Sequence, residues 1–312
     1  MSTQGRHRRP ALGYALAAAA ATMWALNGSI ARFLLDDGVS AERLSQLRSF
    51  GSWLMLLVVL AAWRPGLLRV DRRDVPQLAF LGIAGLALVH AAYFVAIDRL
   101  QIGAALTIQY LAPILLLGWL WLGHGKRPAA PLAGAAALSL VGCFFVVRAY
   151  DASSLDGVGV AAAFTSAVAF AIYMVASERA GHRLEPATTL VWAFGFATLF
   201  WTIVEPWWGF PLEHFDSAGN VLSGLGVVFV GTLFPFVCMV AALRHIAAPR
   251  AAVVATLEPL LAAVFAWLIH GEALAAIQIA GGALVLAGVI WVQTHSPDLE
   301  TELAPVRTPG RV

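Results

Sequence analysis

The sequence predicts an all-α integral membrane protein with ten transmembrane helices, arranged as two inverted five-helix repeats. Three observations predict this class: an apolar composition, apolar blocks about 20 residues long, and an internal repeat. Of the 312 residues, 60 % are apolar and 12 % are charged, whereas a soluble domain has about 25 % charged residues. The blocks are rich in Ala, Leu and Gly and do not alternate apolar with polar residues. They therefore favour helices over the strands of a membrane β-barrel.

The predicted spans follow one another with short connections. They are Ala11–Phe33, Leu44–Trp63, Gln77–Ile97, Ile102–Leu122, Ala129–Val147, Val158–Ser177, Thr188–Glu205, Leu222–Leu243, Ala251–Ile269 and Leu274–Val292. Residues 1–10 are predicted to be a cytoplasmic N-terminus. Residues 295–312 contain three prolines among charged residues, which predicts a disordered cytoplasmic tail.

The distribution of basic residues predicts the orientation in the cell membrane. With the N-terminus in the cytoplasm, fifteen basic residues fall inside and five outside, which together make the 20 in the chain. Cytoplasmic loops carry an excess of Lys and Arg in membrane proteins. We therefore expect a multi-pass protein of the plasma membrane with both termini in the cytoplasm, which requires an even number of spans.

The internal repeat appears at a shift of 146 residues. When residues 99–148 are laid over residues 245–294 without gaps, fifteen of 50 positions are identical. The matches include Pro113 with Pro259, Trp121 with Trp267, and the His-Gly pair that begins at His124 with the pair at His270. Because each half holds five spans, an odd number, the two halves must cross the membrane in opposite directions. Such inverted repeats are a recurring architecture of secondary transporters.

Several motifs resemble the EamA family of the drug/metabolite transporter superfamily. The second half has Leu257-Glu258-Pro259, then residues 267–272 (Trp-Leu-Ile-His-Gly-Glu) and a Gly-Gly pair at 281–282, and the first half has residues 109–113 (Gln-Tyr-Leu-Ala-Pro). The resemblance implies one five-helix repeat over residues 11–148, a second over residues 157–294, and a central cavity between them. It also implies export or import of amino acids, related metabolites or drugs. Lys126 stands where the family often has Glu, so a symmetric Glu pair is not implied.

Glu258 is the strongest candidate for a functional residue. It lies near the middle of the ninth span, and a carboxylate at that depth usually faces a cavity or a partner and is functional. Burial disfavours the ionised form, so Glu258 could take up and release a proton. The alternative is a protonated Glu that only hydrogen-bonds a neighbouring helix.

Other polar or helix-breaking residues within the spans are candidates too. Pro113 and Pro259 each remove a helix hydrogen bond and are expected to kink their spans; the freed carbonyls could line a cavity, or the kinks could serve packing alone. Arg48 could bind a substrate carboxylate or could extend to the outer interface. Substrate binding by stacking and hydrogen bonding is possible for Trp24, Asn27, His90, Tyr93, Gln109, Tyr110 and Tyr173. The alternative for each is hydrogen bonding between helices.

The predicted function is secondary transport, with export of amino acids or related small metabolites preferred over efflux of cationic drugs. The sequence contains no Walker-type loop for ATP, no His-Glu-x-x-His motif, and no paired Asp motifs with metal-site spacing. An intramembrane enzyme is therefore disfavoured, and a structural scaffold is the third possibility. Neither a metal nor another cofactor is expected. The expected partners are a small-molecule substrate and the lipid bilayer but no nucleic acid, and the protein would act as a monomer or homodimer.

Overall fold

The computed structural model describes residues 9–100, 102–123, 125, 128–151, 156–270 and 274–295. Within these ranges every regular element is helical, as the apolar blocks predict. The predicted N-terminal segment and C-terminal tail fall almost entirely outside the described residues, and so do Lys126 and the Glu of the second His-Gly-Glu motif.

Ten helical segments, α1 to α10, occupy the positions of the ten predicted spans. They are α1 Pro10–Asp36, α2 Ala41–Trp63, α3 (Val75–Phe80, Leu81–Ala87 and Leu88–Arg99), α4 (Ile102–Gln109, Ala112–Gly118 and Trp119–Gly123), α5 Ala130–Val146, α6 Gly157–Gly181, α7 Pro186–Val204, α8 Ala218–Ala242, α9 (Ala248–Ala255 and Leu257–His270) and α10 Ala276–Thr294. Each end lies within four residues of the predicted one. The ten-helix prediction is therefore confirmed.

Length and composition suit these helices to a bilayer. Eight of the ten are long and apolar enough to cross a membrane. The other two are α5, a shorter apolar helix of 17 residues, and the Ala-rich α1, which has 27. At 1.5 Å per residue these two are about 26 Å and about 40 Å long, and both pack against other spans of the bundle.

Turn chemistry fixes several helix starts. Ser40 Oγ accepts a hydrogen bond from the backbone N–H of Arg43, and Ser217 Oγ accepts one from Asn220. Asp156 Oδ1 accepts one from the N–H of Gly159 at 2.8 Å. Such caps satisfy backbone donors that have no partner within the helix. They begin α2, α6 and α8 at the edges of the apolar blocks.

The two halves of the chain are packed as a pseudo-symmetric pair. α1 packs against α8 and α9, and its counterpart α6 packs in the same way against α3 and α4. α2 packs against its own counterpart α7, and α5 against α10. Each contact thus has a mate when the halves are exchanged, as expected for the inverted repeat. Together the helices surround the middle of the bundle.

Small residues bring α5 and α10 close together. A Cβ atom added to Gly142 would lie 2.6 Å from the carbonyl oxygen of Gly281, and one added to Gly281 would lie 2.8 Å from that of Gly142. Gly288 faces Ser139 and the backbone of Ala135 in the same way. Because lipid is as apolar as the side chains, close backbone packing is a main source of helix association in a membrane.

Hydrogen bonds join α2 and α7 near both ends. At one end Arg43 pairs with Glu205 at 3.0 Å and donates to the carbonyl of Pro206 at 2.9 Å. At the other end Thr188 Oγ1 donates to the carbonyl of Leu67 at 2.8 Å, and Trp192 Nε1 donates to that of Leu68 at 3.1 Å. The pair α2–α7 is therefore joined at both ends.

Candidate functional site

The site begins at an interruption in α9. The first piece of α9 ends at Ala255, Thr256 forms a turn, and the second piece starts at Leu257. Pro259 has no N–H, so the carbonyl of Ala255 loses its helical partner. The hydroxyl of Thr256 donates back to the carbonyl of Val253 at 2.6 Å. Glu258 is the second residue of this second piece and is half-buried.

A matching interruption occurs in α4, the repeat counterpart of α9. Tyr110 and Leu111 form a turn just before Pro113. The Tyr110 side chain is buried, and its hydroxyl lies within hydrogen-bonding reach of the Glu258 carboxyl group. Gln109 is half-buried at the end of the first piece of α4, and Pro113 leaves its carbonyl without a helical partner. The two interrupted helices therefore meet through Tyr110 and Glu258.

Arg48 approaches the same region from α2. Its Nε donates to Thr232 Oγ1 at 2.8 Å and its Nη2 donates to the carbonyl of Gly231 at 2.9 Å. Both acceptors lie in a π-helical turn of α8, Phe229–Leu233, a feature common at functional sites. The guanidinium is thus directed to the middle of α8 rather than to the outer interface.

Arg48 and Glu258 interact electrostatically across the middle of the bundle. Within the described residues, Arg48 and Glu258 do not form a direct ion pair. Both side chains are half-buried. A cation and a carboxyl group separated in this way can bind the two ends of a zwitterion.

His90 and Tyr93 contribute from α3. His90 Nδ1 lies 2.8 Å from the carbonyl oxygen of Leu86, so this nitrogen carries the donated hydrogen and leaves Nε2 available. Tyr93 is half-buried and lies near Glu258 and Tyr110. Leu86 belongs to the π-helical turn Leu81–Ala87, which corresponds to the one in α8.

An aromatic cluster lies on α1, α6 and α8. The Trp24 ring packs edge-on against Phe236 at 5.2 Å and Phe170 at 6.3 Å between centroids. Tyr173 packs edge-on against Phe236 at 5.3 Å. The Tyr173 hydroxyl is buried, with no hydrogen-bond partner in the described part of the chain. Ring packing is therefore the main interaction that positions the side chains of Trp24 and Tyr173.

Asn27 lies against the same π-helical turn that holds Arg48. Its Oδ1 stands over Gly231, where a Cβ atom would collide with it. That oxygen is buried and has no partner among the described residues. Gly231 is required here because any side chain would displace Asn27.

Sequence reasoning missed Thr232, Phe170 and Phe236, which position Arg48 and Trp24. The repeat contained a signal for two of them. A shift of 146 residues maps Trp24 onto Phe170 and His90 onto Phe236.

The two repeats contribute different residues to the site. The same shift maps Glu258 onto Ala112 and Arg48 onto Phe194. The polar residues thus come mostly from the first half, whereas the second half supplies Glu258 and three of the four rings in the aromatic cluster.

An apolar cavity of about 310 Å³ lies elsewhere, between α2 and α7. None of the residues around Glu258 belongs to it. It is lined by Trp53, Leu57, Leu68, Val191, Trp192, Gly195, Phe196 and Leu199. Because it offers almost no polar group to orient a ligand, we do not assign it to transport.

The family is established by comparison with known proteins. Two ranges, residues 11–148 and 157–294, match the model of the EamA-like transporter family. This chain belongs to that family, within the drug/metabolite transporter superfamily, and it is therefore a multi-pass membrane transporter with two EamA repeats.

Relatives of known name agree with this assignment. An uncharacterized inner membrane transporter, YicL of Salmonella typhimurium, is 24 % identical over 89 % of this chain and 93 % of its own. The threonine/homoserine exporter RhtA of Escherichia coli is 27 % identical over 81 % of this chain and 80 % of its own. The pseudopaline exporter CntI of Pseudomonas aeruginosa is 24 % identical over 84 % of this chain and 90 % of its own.

A solved crystal structure shares the fold. It has a TM-score of 0.74 and 17 % sequence identity, and it covers 90 % of this chain and 96 % of the solved chain. The likeness extends over nearly the whole molecule, including both repeats. At this identity it supports the fold alone.

Proposed function

We propose that this transporter exports an amino acid or a closely related zwitterionic metabolite by alternating access, with Glu258 carrying the coupled proton. The single observation behind the proposal is the placement of Glu258 and Arg48. They lie on α9 and α2 and interact electrostatically, without a direct ion pair between them among the described residues. The arginine would bind the substrate carboxylate and Glu258 would bind its ammonium group.

The other candidate residues take supporting roles in this proposal. Tyr110, Tyr93 and His90 would hold Glu258 and the ammonium group by hydrogen bonds. Trp24 and Tyr173, with Asn27 beside them, would contact the substrate side chain. The interruptions at Pro113 and Pro259 would allow the two ends of α4 and α9 to move separately, and Gln109 lies at the first of them.

The named relatives support the same substrate class. RhtA is a threonine/homoserine exporter and CntI is a pseudopaline exporter. Export of L-threonine or L-homoserine is therefore the first activity to test. Efflux of a cationic drug, with Glu258 as its counter-charge, is the alternative outcome.

The test is transport in liposomes that contain the purified protein and a pH gradient. Labelled L-threonine and L-homoserine would be offered to wild type, Glu258→Gln and the control Glu213→Gln, whose carboxyl group is exposed in the α7–α8 connection. We expect proton-driven transport by wild type and by the control, and a loss of at least about tenfold in Glu258→Gln because the variant cannot exchange a proton.

Three results would separate the alternatives. Equal transport by Glu258→Gln would remove this carboxyl group from the mechanism. Transport of an organic cation but of neither amino acid would favour the drug carrier. Loss of driven transport with retained exchange between equal substrate concentrations would assign Glu258 to coupling rather than to binding.

A further inference from the structure

Arg250 is a buried arginine that the site around Glu258 does not use. It lies in the first turn of α9, and only 3 % of its surface is exposed. All eight residues of the piece Ala248–Ala255 are buried, because this piece packs against α1, α4, α5, α6 and α10. Arg250 is thus enclosed by the bundle rather than placed at a surface.

One edge of its guanidinium has no partner. Nε and Nη2 are both inaccessible, and their N–H groups have no hydrogen-bond acceptor among the described residues. These two nitrogens lie side by side, so their N–H groups point in parallel and match the two oxygens of a carboxylate. An uncompensated buried charge is strongly destabilising. This edge of the guanidinium therefore fits an anionic ligand that has two oxygens, such as a carboxylate.

Acidic groups close to the start of α9 are already engaged. Glu178 accepts a hydrogen bond from the backbone N–H of Ala248 at 3.1 Å. Glu185 pairs with Arg244 at 2.5 Å. The repeat counterpart of Arg250 is Ala104, which is also buried. Packing at this position of the repeat does not in itself require an arginine.

We propose that Arg250 binds the substrate carboxylate on the cytoplasmic side of Glu258, as a second carboxylate-binding site in addition to Arg48. This inference rests on the proposed function. Arg250 precedes Glu258 by eight positions, about 12 Å along α9, toward the predicted cytoplasmic end. A carboxylate that enters from the cytoplasm would meet Arg250 first, and Arg48 would bind it after the substrate ammonium group has reached Glu258.

Stability and transport separate this role from a structural one. Arg250→Met keeps most of the side-chain volume and removes the charge, so we expect an unchanged or higher melting temperature in detergent. We also expect at least tenfold slower exchange of L-threonine in liposomes, with partial recovery in Arg250→Lys. A lower melting temperature of Arg250→Met, or undiminished exchange, would overturn the proposal.

Thiol labelling tests the same site without a known substrate. In a Cys143→Ala/Cys238→Ala background, Arg250→Cys in inside-out vesicles should react with anionic 2-sulfonatoethyl methanethiosulfonate. Ala251→Cys, on the adjacent and fully buried position, should not react. If wild type exchanges neither L-threonine nor L-homoserine, the proposed function fails for these substrates while labelling still decides on Arg250. Absence of labelling at position 250 would show that no anion path reaches it.

Discussion

Glu258 derives its properties from the groups that surround it. A carboxyl group near the middle of a span is costly unless it has partners. Here Tyr110 offers its hydroxyl and Arg48 an electrostatic interaction from the other side. The arginine is itself held by Thr232 and Gly231. Arg48 and Glu258 therefore each have a defined position, and among the described residues they form no direct ion pair with each other.

The hydroxyl of Tyr110 can be removed without changing the shape of its ring. A hydrogen bond to a charged group contributes about 1.5–3 kcal/mol, so Tyr110→Phe should reduce transport by about tenfold while the protein stays folded. The control is Tyr150→Phe, since Tyr150 is exposed at the end of α5. Rates would be measured by uptake of labelled L-threonine into liposomes. Identical rates for Tyr110→Phe and wild type would show that this hydroxyl is dispensable.

At the scale of the helix, proline and glycine have opposite effects. Pro113 and Pro259 follow interruptions that divide α4 and α9, whereas Gly142, Gly281 and Gly288 make the α5–α10 contact close. The first feature gives helices that can bend, and the second gives a pair that cannot easily separate. The interruptions lie beside Tyr110 and Glu258, whereas the close glycine contacts join α5 to α10.

The α5–α10 contact predicts a matched pair of glycine substitutions. A Cβ at Gly142 would lie 2.7 Å from the backbone nitrogen of Val285, whereas Gly118 has open space around it. Gly142→Ala should therefore destabilise the protein by about 1–3 kcal/mol, and Gly118→Ala should be neutral or stabilising by up to about 1 kcal/mol. Thermal unfolding in detergent measures both. A Gly142→Ala protein as stable as wild type would contradict the close approach.

At the scale of the whole molecule, the predicted orientation can be tested at the connections between helices. The predicted orientation places the α7–α8 connection outside and the α6–α7 connection in the cytoplasm. Both connections contain exposed residues, among them Glu213 and His182. The two sides of the membrane can therefore be distinguished by labelling at single positions.

Cysteine labelling in intact cells tests this orientation. In the Cys143→Ala/Cys238→Ala background, Glu213→Cys should react with a membrane-impermeant maleimide in whole cells. His182→Cys should react only after the membrane is permeabilised. The opposite pattern would reverse the orientation, and labelling of both in intact cells would contradict the number of spans between them.

Much of the fold could be predicted because the bilayer requires long apolar helices and because the halves repeat at a constant shift. The interruptions at α4 and α9 lie beside two prolines that the sequence marks plainly. The partners of Arg48 could not be predicted, since Thr232 and Gly231 are 184 and 183 residues away in the chain. Nothing local indicates that a π-helical turn presents them. Arg250 is one of the fifteen basic residues that the sequence places on the inside, and its burial could not be predicted because it depends on the five helices packed around it.

The two repeats, which resemble the products of gene duplication and fusion, carry different residues at the two charged positions of the site. One repeat could therefore not replace the other. Ala112 occupies the place of Glu258 in the first repeat, and Phe194 occupies the place of Arg48 in the second. A homodimer of the first half would contain Arg48 twice and no counterpart of Glu258, and a homodimer of the second half would contain Glu258 twice and no counterpart of Arg48. Neither homodimer would contain the Arg48–Glu258 pair on which the proposed function rests. The fused chain keeps the two complementary charges together in one molecule.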